Sequence, residues 1–272
     1  MLSKSKWIKA PAYMKNTCPA FVNNIKLKGA LKTAKAYVSA IGMYRLFING
    51  QRVTEDIFTP GWTEYKAHTQ YQFYDITKFL SNENNKIYAL CGNGWAVSVL
   101  RAREIPDRYF EHISFIGAFF IEYENGEVEI IYTDENWEVK ASPIVYSELY
   151  HGETVDLTIE SDEAVSAVLD DTVKTQLIPQ QCECVKEHER FAVKEIIQTP
   201  KGELVLDFGQ NLAGYVEIKI KGERGQRVVL SHAEVLDKDG NFYTENMRSA
   251  RNINTYVLSG FLFVHAGDYI SW

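Results

Sequence analysis

Short runs of alternating apolar and polar residues, separated by turn dipeptides and barely interrupted by helical periodicity, constrain this 272-residue chain more than any other feature. The runs include Ala36-Tyr37-Val38-Ser39-Ala40, Arg45-Leu46-Phe47-Ile48, Tyr71-Gln72-Phe73-Tyr74 and Glu127-Val128-Glu129-Ile130-Ile131-Tyr132. A side-chain period of two belongs to β-strands, whose successive residues point to opposite faces. Asn49-Gly50, Asn125-Gly126, Lys201-Gly202 and Asp239-Gly240 punctuate these runs with residues that accept the positive φ of tight turns. The pattern predicts an all-β chain of the β-sandwich or jelly-roll type, with Leu46 and Ile48 on one face of their strand and Phe47 on the other. Asp75 to Leu80 reads as one short helical turn, followed by a strand that begins near Asn84.

The length suits two domains that each bury a core. Residues 161–190 break the alternation with charged and polar residues around Pro179, and the pattern resumes over Phe191 to Ile220 and Gln226 to Leu230. The expected organisation is a first jelly-roll module over 1–160, a boundary segment over 161–190 and a second β-sandwich over 191–272. The final run, Phe261 to Trp272, is apolar and ends without a polar tail, so the second sandwich is expected to be incomplete.

A formal net charge of −7 offers no broad positive field for a nucleic-acid backbone or an anionic membrane, and neither is an expected partner. The opening MLSKSKWIKAPAYM has no apolar run that reads as a secretory signal or a membrane span, which predicts a cytoplasmic protein. Cys18, Cys91, Cys182 and Cys184 read as free thiols, because Cys182-Glu183-Cys184 lacks metal-ligand spacing. His68, His112, His188, His232 and His265 show no ligand spacing either. Asp237-Lys238-Asp239-Gly240-Asn241 superficially suggests a calcium loop, but its glycine falls too early and the distal bidentate Glu is unfilled. A hairpin turn is expected there, and no cofactor is expected; calcium has no motif to support it.

Two groups of residues offer chemistry. In Gly92-Asn93-Gly94-Trp95 the glycines permit a tight path, Asn93 both donates and accepts, and an indole can stack on a sugar face. Trp62 and Tyr65 belong either to the same surface or to the core, and Trp95 has the same alternative of buried packing. The second group is Glu148, Glu153 and Asp156. Hydrolytic acid–base chemistry can use two opposed carboxylates, and these are the nearest such cluster in sequence; the competing reading is a solvated strand end beside a hydrogen-bonded turn at Gly152.

In order along the chain, Gly42-Met43-Tyr44-Arg45-Leu46-Phe47-Ile48-Asn49-Gly50, Thr59-Pro60-Gly61-Trp62-Thr63-Glu64-Tyr65, Tyr71-Gln72-Phe73-Tyr74-Asp75 and Gly92-Asn93-Gly94-Trp95 resemble the N-terminal jelly-roll module of bacterial α-L-rhamnosidases, glycoside hydrolase family 78. Tyr150-His151-Gly152-Glu153 is similar to the family's Tyr-Asp-Gly-Glu segment, with His151 in place of the Asp. Leu206 to Gly214, His232 to Leu236 and Thr255 to Gly260 resemble the opening of the next β-sandwich. The first module's strand and turn pattern is also that of galactose-binding-like modules in general. The resemblance implies that the general acid and base carboxylates lie in a helical barrel, none of which matches residues here. It therefore implies a non-catalytic carbohydrate-binding or accessory portion, truncated before that barrel, with no catalytic residue of its own. The expected partner is L-rhamnose or a rhamnosylated glycan, met by Asn93, Trp95, Trp62, Tyr65, Glu148, His151 and Glu153. Two alternatives stay open: a small glycoside hydrolase acting on rhamnosides through the Glu148, Glu153 and Asp156 cluster, and an interaction fragment that forms homo-oligomers through its C-terminal β region.

Overall fold

The computed structural model describes residues 2–14, 17–98, 109–159 and 163–260, so the terminal run 261–272 lies outside the described residues. The described chain is almost entirely β. Its strands in order begin with β1 (Ile8–Lys9), β2 (Pro19–Lys26), β3 (Leu31–Ile41), β4 (Met43–Ile48), β5 (Gln51–Arg52), β6 (His68–Asp75) and β7 (Asn84–Gly92). Next come helix α1 (Gly94–Val97), β8 (Ser114–Tyr123), β9 (Val128–Tyr132), β10 (Glu138–Ala141), β11 (Ile144–Glu148) and β12 (Gly152–Asp156). Then follow β13 (Ala164–Ser166), β14 (Val168–Leu169), β15 (Gln176–Pro179), β16 (Glu195–Gln198) and β17 (Leu204–Asp207). The series closes with β18 (Arg227–Ser231), β19 (Val235–Leu236), β20 (Phe242–Tyr243) and β21 (Ile253–Val257).

Two sheets form the first sandwich. One runs β14-β1-β8-β3-β6-β15, with β9 also on β8; the other runs β13-β10-β2-β7-β4-β5. The alternation read from the sequence decides what each face does. Ala34, Ala36 and Val38 of β3 and Phe115, Phe119 and Ile121 of β8 pack against Phe21 of β2, Leu46 and Ile48 of β4, and Ile87 and Ala89 of β7. Trp137, fully enclosed, stacks on Phe119 at 5.8 Å and meets Phe115 at 5.9 Å, and its indole N–H donates to the Tyr132 carbonyl at 3.0 Å. The turn dipeptides behave as their residue types require. Asn49 (φ 52) and Gly50 (φ 76) close the β4–β5 hairpin, and Gly126, Gly202 and Gly240 all take positive φ at their turns. Thr77–Phe79 forms the short helical turn, as a 3₁₀ element, before β7.

The six-stranded sheet also has its opposite face covered. Ala20, Met43 and Leu90, which alternate with the first core's residues, pack with Cys18, Ile144, Val155, Tyr256 and Leu258 in a second core. The cover is a four-stranded sheet, β11-β12-β21-β18, in which the hairpin 144–156 pairs with strands about a hundred residues later: β12 runs parallel to β21, Thr154 beside Thr255 and Val155 beside Tyr256. The hairpin therefore belongs by hydrogen bonding to the sheet of the second β region. The stretch 161–190 carries β13, β14 and β15, which pair with β10, β1 and β6 of the first sandwich. Beyond it, β16 and β17 form one hairpin and β19 and β20 another, while residues 208–226 carry no strand.

Asp170, immediately after β14, ties that edge of the sheet to β1 and to the start of β8. Its carboxylate accepts from the Ser114 hydroxyl at 2.5 Å, the Thr172 hydroxyl at 2.6 Å, the Thr172 N–H at 3.2 Å and the Lys9 ammonium at 3.2 Å. Burial alone raises the pKa of such a carboxyl; these donors outweigh it and hold Asp170 below the ordinary carboxylate value. A carboxylate depressed in the folded state contributes stability above its unfolded pKa of about 3.9, and that contribution is lost as pH falls through the folded value. Asp170→Asn should therefore cost about 2 kcal/mol in urea unfolding at pH 7. The gap between wild type and variant should narrow as pH falls below the ordinary carboxylate value and through the lower folded one; a gap independent of pH would show that the charge contributes nothing.

Candidate functional site

The loops at one end of the two-faced sheet bring the candidate residues together in two groups joined by Gly92 to Trp95. Strand β7 ends at Gly92, and α1 turns the chain sharply, with Val97 N–H donating to the Asn93 carbonyl at 3.2 Å and Ser98 N–H to the Gly94 carbonyl at 3.1 Å. Glycine is required here. Gly94 has φ 52, and a Cβ on it would stand 2.6 Å from Met43 Cγ and 3.0 Å from the Met43 nitrogen; one on Gly42 would stand 2.3 Å from the Gly92 carbonyl oxygen. The sheet edge and the loop therefore touch backbone to backbone.

The first group is aromatic. The Trp62 and Trp95 indoles stack nearly parallel, 6.1 Å apart at 10°, and Phe58 meets the Trp95 ring at 5.0 Å. Trp62 is 58% exposed, whereas Trp95 is half-buried and packs against the cores beneath, so the pair combines an anchored ring with an open one. Tyr65, a candidate on the same surface, is fully buried instead. Its hydroxyl donates to the Gly61 carbonyl at 2.8 Å, its ring meets Tyr109 edge-on at 5.1 Å, and burial pushes its pKa well up. It supports the Trp62 loop from below.

The second group is polar and enclosed. Asn93 Nδ2 donates to Glu148 Oε1 at 3.0 Å, and the Glu148 carbonyl accepts from the His151 N–H at 3.3 Å. Tyr256 donates its hydroxyl to Glu153 Oε1 at 3.2 Å, and the Glu153 N–H donates to Asn254 Oδ1 at 3.1 Å. Gly152 between them has φ 88 and lies so close to β21 that a Cβ would stand 2.2 Å from the Ile253 carbonyl oxygen. The solvated strand end expected for these acids is not what forms: Glu148 is 6% and Glu153 1% exposed, because the hairpin is roofed by β21 and backed by the six-stranded sheet. Asp156 instead caps its own turn, accepting from the Thr158 N–H and hydroxyl at 2.9 and 2.6 Å. His151 is half-buried, with Nδ1 enclosed and without a hydrogen-bond partner among the described residues. These contacts turn the carboxylates into hydrogen-bond acceptors of the fold, not into an opposed pair across a cleft.

The remaining motifs fall away from this region. Asp237 Oδ1 accepts from the N–H groups of Asp239 and Asn241 at 2.9 and 2.8 Å, which makes Asp237 to Asn241 a hairpin turn. Among the described residues no group of three His, Cys, Asp or Glu side chains is arranged to hold a metal ion, and no helix is long and apolar enough to cross a membrane. Sequence reasoning missed Phe58, Asn254 and Tyr256. Asn254 and Tyr256 meet the site only through the long-range β12–β21 pairing, and no local signal marks Phe58, an aromatic residue at φ 61.

A jelly-roll-type β-sandwich with aromatic loops at one end and a second β-sheet laid on its outer face defines the class: an all-β module of packed sandwiches. The chain belongs to the α-L-rhamnosidase family. The model of the α-L-rhamnosidase N-terminal domain matches residues 29–195, and that of the bacterial α-L-rhamnosidase concanavalin-like domain matches residues 197–264. An α-L-rhamnosidase of Streptomyces avermitilis is 34% identical over 238 residues, which cover 84% of this chain and 23% of that protein. The crystal structure of the Streptomyces avermitilis α-L-rhamnosidase complexed with L-rhamnose superposes with a TM-score of 0.86 at 28% identity, over 94% of this chain and 26% of the other. The native enzyme from Aspergillus terreus shares the fold, with a TM-score of 0.90 at 24% identity over 99% of this chain and 33% of its own. The chain thus spans about a quarter to a third of the length of the rhamnosidases it resembles, and the parts it matches are their β-domains.

Cys18 lies within the polar group. Burial, the charge on Glu153 and that on Glu148 push its thiol up to about 12, against a smaller opposing effect of a hydrogen bond with Ser147. Thiolate is the reactive form, so at pH 8 iodoacetamide should modify the exposed Cys182 and leave Cys18 intact until the chain is unfolded. Peptide mass mapping reads the order, and early labelling of Cys18 would show that the enclosure around Glu148 and Glu153 opens in solution.

Proposed function

We propose that these domains are the non-catalytic carbohydrate-binding portion of an α-L-rhamnosidase and that L-rhamnose, or a glycan ending in it, is the ligand. The stacked Trp62–Trp95 pair beside Asn93 carries this reading: an exposed indole face suits the apolar face of a deoxysugar, and an amide able to donate and accept lies within the same loop. A known relative solved with L-rhamnose supports the choice of sugar. Glu148 holds Asn93 from behind, His151 and Glu153 fix the hairpin that carries Glu148, and Tyr65 holds the Trp62 loop; the sugar meets Trp62, Trp95 and Asn93 themselves. Hydrolysis by Glu148 and Glu153 does not follow from this arrangement, since both acids are enclosed and hydrogen-bonded.

Calorimetric titration of the chain with L-rhamnose should give a Kd of about 1 mM. Trp62→Ala and Asn93→Ala should each weaken it at least about fivefold, the effect of losing one stacking or hydrogen-bonding contact. No heat with rhamnose and with rhamnosylated oligosaccharides alike would refute the binding claim. Release of an aryl leaving group from a rhamnoside that vanished in Glu153→Gln would replace it with catalysis.

A second reading, self-association through the C-terminal β region, is favoured by its exposed apolar residues, with Leu204 73%, Ile196 65% and Val229 54% exposed. Light scattering at increasing concentration should then give a mass near twice the chain's 31.1 kDa, lost in Leu204→Lys combined with Ile196→Lys. A monomer throughout would remove this reading.

A further inference from the structure

We infer that Phe58 is a positioning residue of the aromatic site, held in a strained backbone conformation so that its ring sets the orientation of Trp95 and, through it, of Trp62. The inference rests on the reading of Trp62 and Trp95 as the sugar platform and extends it to a residue and a strap outside the loop itself. Phe58 has φ 61, in the left-handed region that bulky side chains avoid and that costs free energy wherever it is imposed. Such a conformation persists only where the surroundings over-determine it, and here both flanks are clamped.

On one side the Asp56 carbonyl accepts from an Arg52 guanidinium nitrogen at 3.1 Å, and the Asp56 carboxylate stands 3.7 Å from the Lys186 ammonium. Ile57 N–H donates to the Val185 carbonyl at 2.9 Å in an isolated antiparallel bridge. On the other side the Thr59 hydroxyl donates to the Tyr44 carbonyl at 3.1 Å, and Tyr44 N–H returns a bond to the Thr59 carbonyl at 3.0 Å. The Pro60 carbonyl accepts from the Gln70 and Gln72 amides at 3.4 and 3.2 Å, and the Gly61 carbonyl accepts the Tyr65 hydroxyl at 2.8 Å. Residues 56, 57, 59, 60 and 61 are thus each held by the sheet, the strap that follows β15 or Tyr65, and Gly61 N–H closes back on the Phe58 carbonyl at 2.8 Å.

The outcome of this clamping is an aromatic side chain placed 5.0 Å from Trp95 and tilted at 45° to it, on the same ring that Trp62 stacks upon. A loop that served only to cover the sheet would relax by placing glycine or asparagine at position 58, since both accept this φ freely. Phenylalanine here carries the backbone strain while packing its ring on the second core and against Trp95, the anchored ring of the platform. The strap residues Val185 and Lys186, which reach the loop at Ile57 and Asp56, act on the platform through Phe58.

The test compares Phe58→Gly, which suits the backbone and deletes the ring, with Phe58→Leu, which keeps apolar bulk if the first fails to fold, Phe58→Tyr, which keeps the ring, and Trp62→Ala. L-Rhamnose titration and the near-ultraviolet circular dichroism of the unliganded chain are read for each. Phe58→Gly and Phe58→Leu should bind L-rhamnose about tenfold more weakly, the scale of one lost aromatic contact. Both should lose the same indole bands that Trp62→Ala loses, and Phe58→Tyr should restore binding and bands. Wild-type affinity in both Phe58→Gly and Phe58→Leu, with binding lost in Trp62→Ala, would overturn the positioning role and leave the platform standing. Wild-type affinity in Trp62→Ala as well would overturn the platform and the positioning role together.

Discussion

The six-stranded sheet is packed on both faces, and the rest of the molecule depends on that double burial. Alternate residues of β2, β4 and β7 divide between two cores: Phe21, Leu46, Ile48, Ile87 and Ala89 face the seven-stranded sheet, while Ala20, Met43 and Leu90 face the sheet containing Tyr256 and Val155. A one-residue slip in any of these strands would exchange the two sets, so register is fixed from both sides at once. Because β4 and β7 are held in this way, Gly42, Gly92 and Gly94 can be brought into backbone contact, and the loop carrying Asn93 and Trp95 leaves the sheet along one path.

That geometry divides labour between two kinds of group. The aromatic rings lie where one of them, Trp62, reaches solvent, and the acids lie where solvent does not reach them. An acid of this kind stabilises a loop by accepting hydrogen bonds from it, as Glu148 does from Asn93 and Glu153 from Tyr256, and it is costly to leave without donors. The first β-module and the sheet of the second region are therefore joined by both an apolar core and a polar one at the base of the same loop. The family membership fits this architecture: the two matched β-domains meet near residue 196, beyond the last strand that residues 161–190 add to the first sandwich.

Local chemistry was legible in the sequence wherever a structure is decided locally. Asn49-Gly50 forms its hairpin because both residues accept positive φ, and Leu46, Ile48 and Phe47 divide between faces because strand periodicity leaves no alternative. Whether the Gly92 to Trp95 loop and Trp62 share a surface or pack in the core stayed open in the residue types, and the stacking of the two indoles is seen only in the fold. What was not legible depended on distant partners. The burial of Glu148 and Glu153 is imposed by a parallel pairing with β21, and strands at a sheet's end are ordinarily solvated, so the acids looked exposed. Residues 161–190 looked like a connector because β13, β14 and β15 are short edge strands with too few residues to show a period. Tyr65, which the sequence left open between the Trp62 surface and the core, packs into a core with Tyr109 and Ile41. Phe58 adopts a conformation that its residue type argues against, and only its clamped neighbours explain it.

The most direct measurement is a titration of the isotope-labelled chain with L-rhamnose, following the five indole N–H resonances. Sugar contact at the aromatic loop predicts progressive shifts for Trp62 and Trp95 that saturate together, with Trp137, enclosed between Phe115 and Phe119, unmoved. Saturating sugar that leaves Trp62 and Trp95 in place, or that moves only other indoles, would contradict the assignment of this loop as the binding surface.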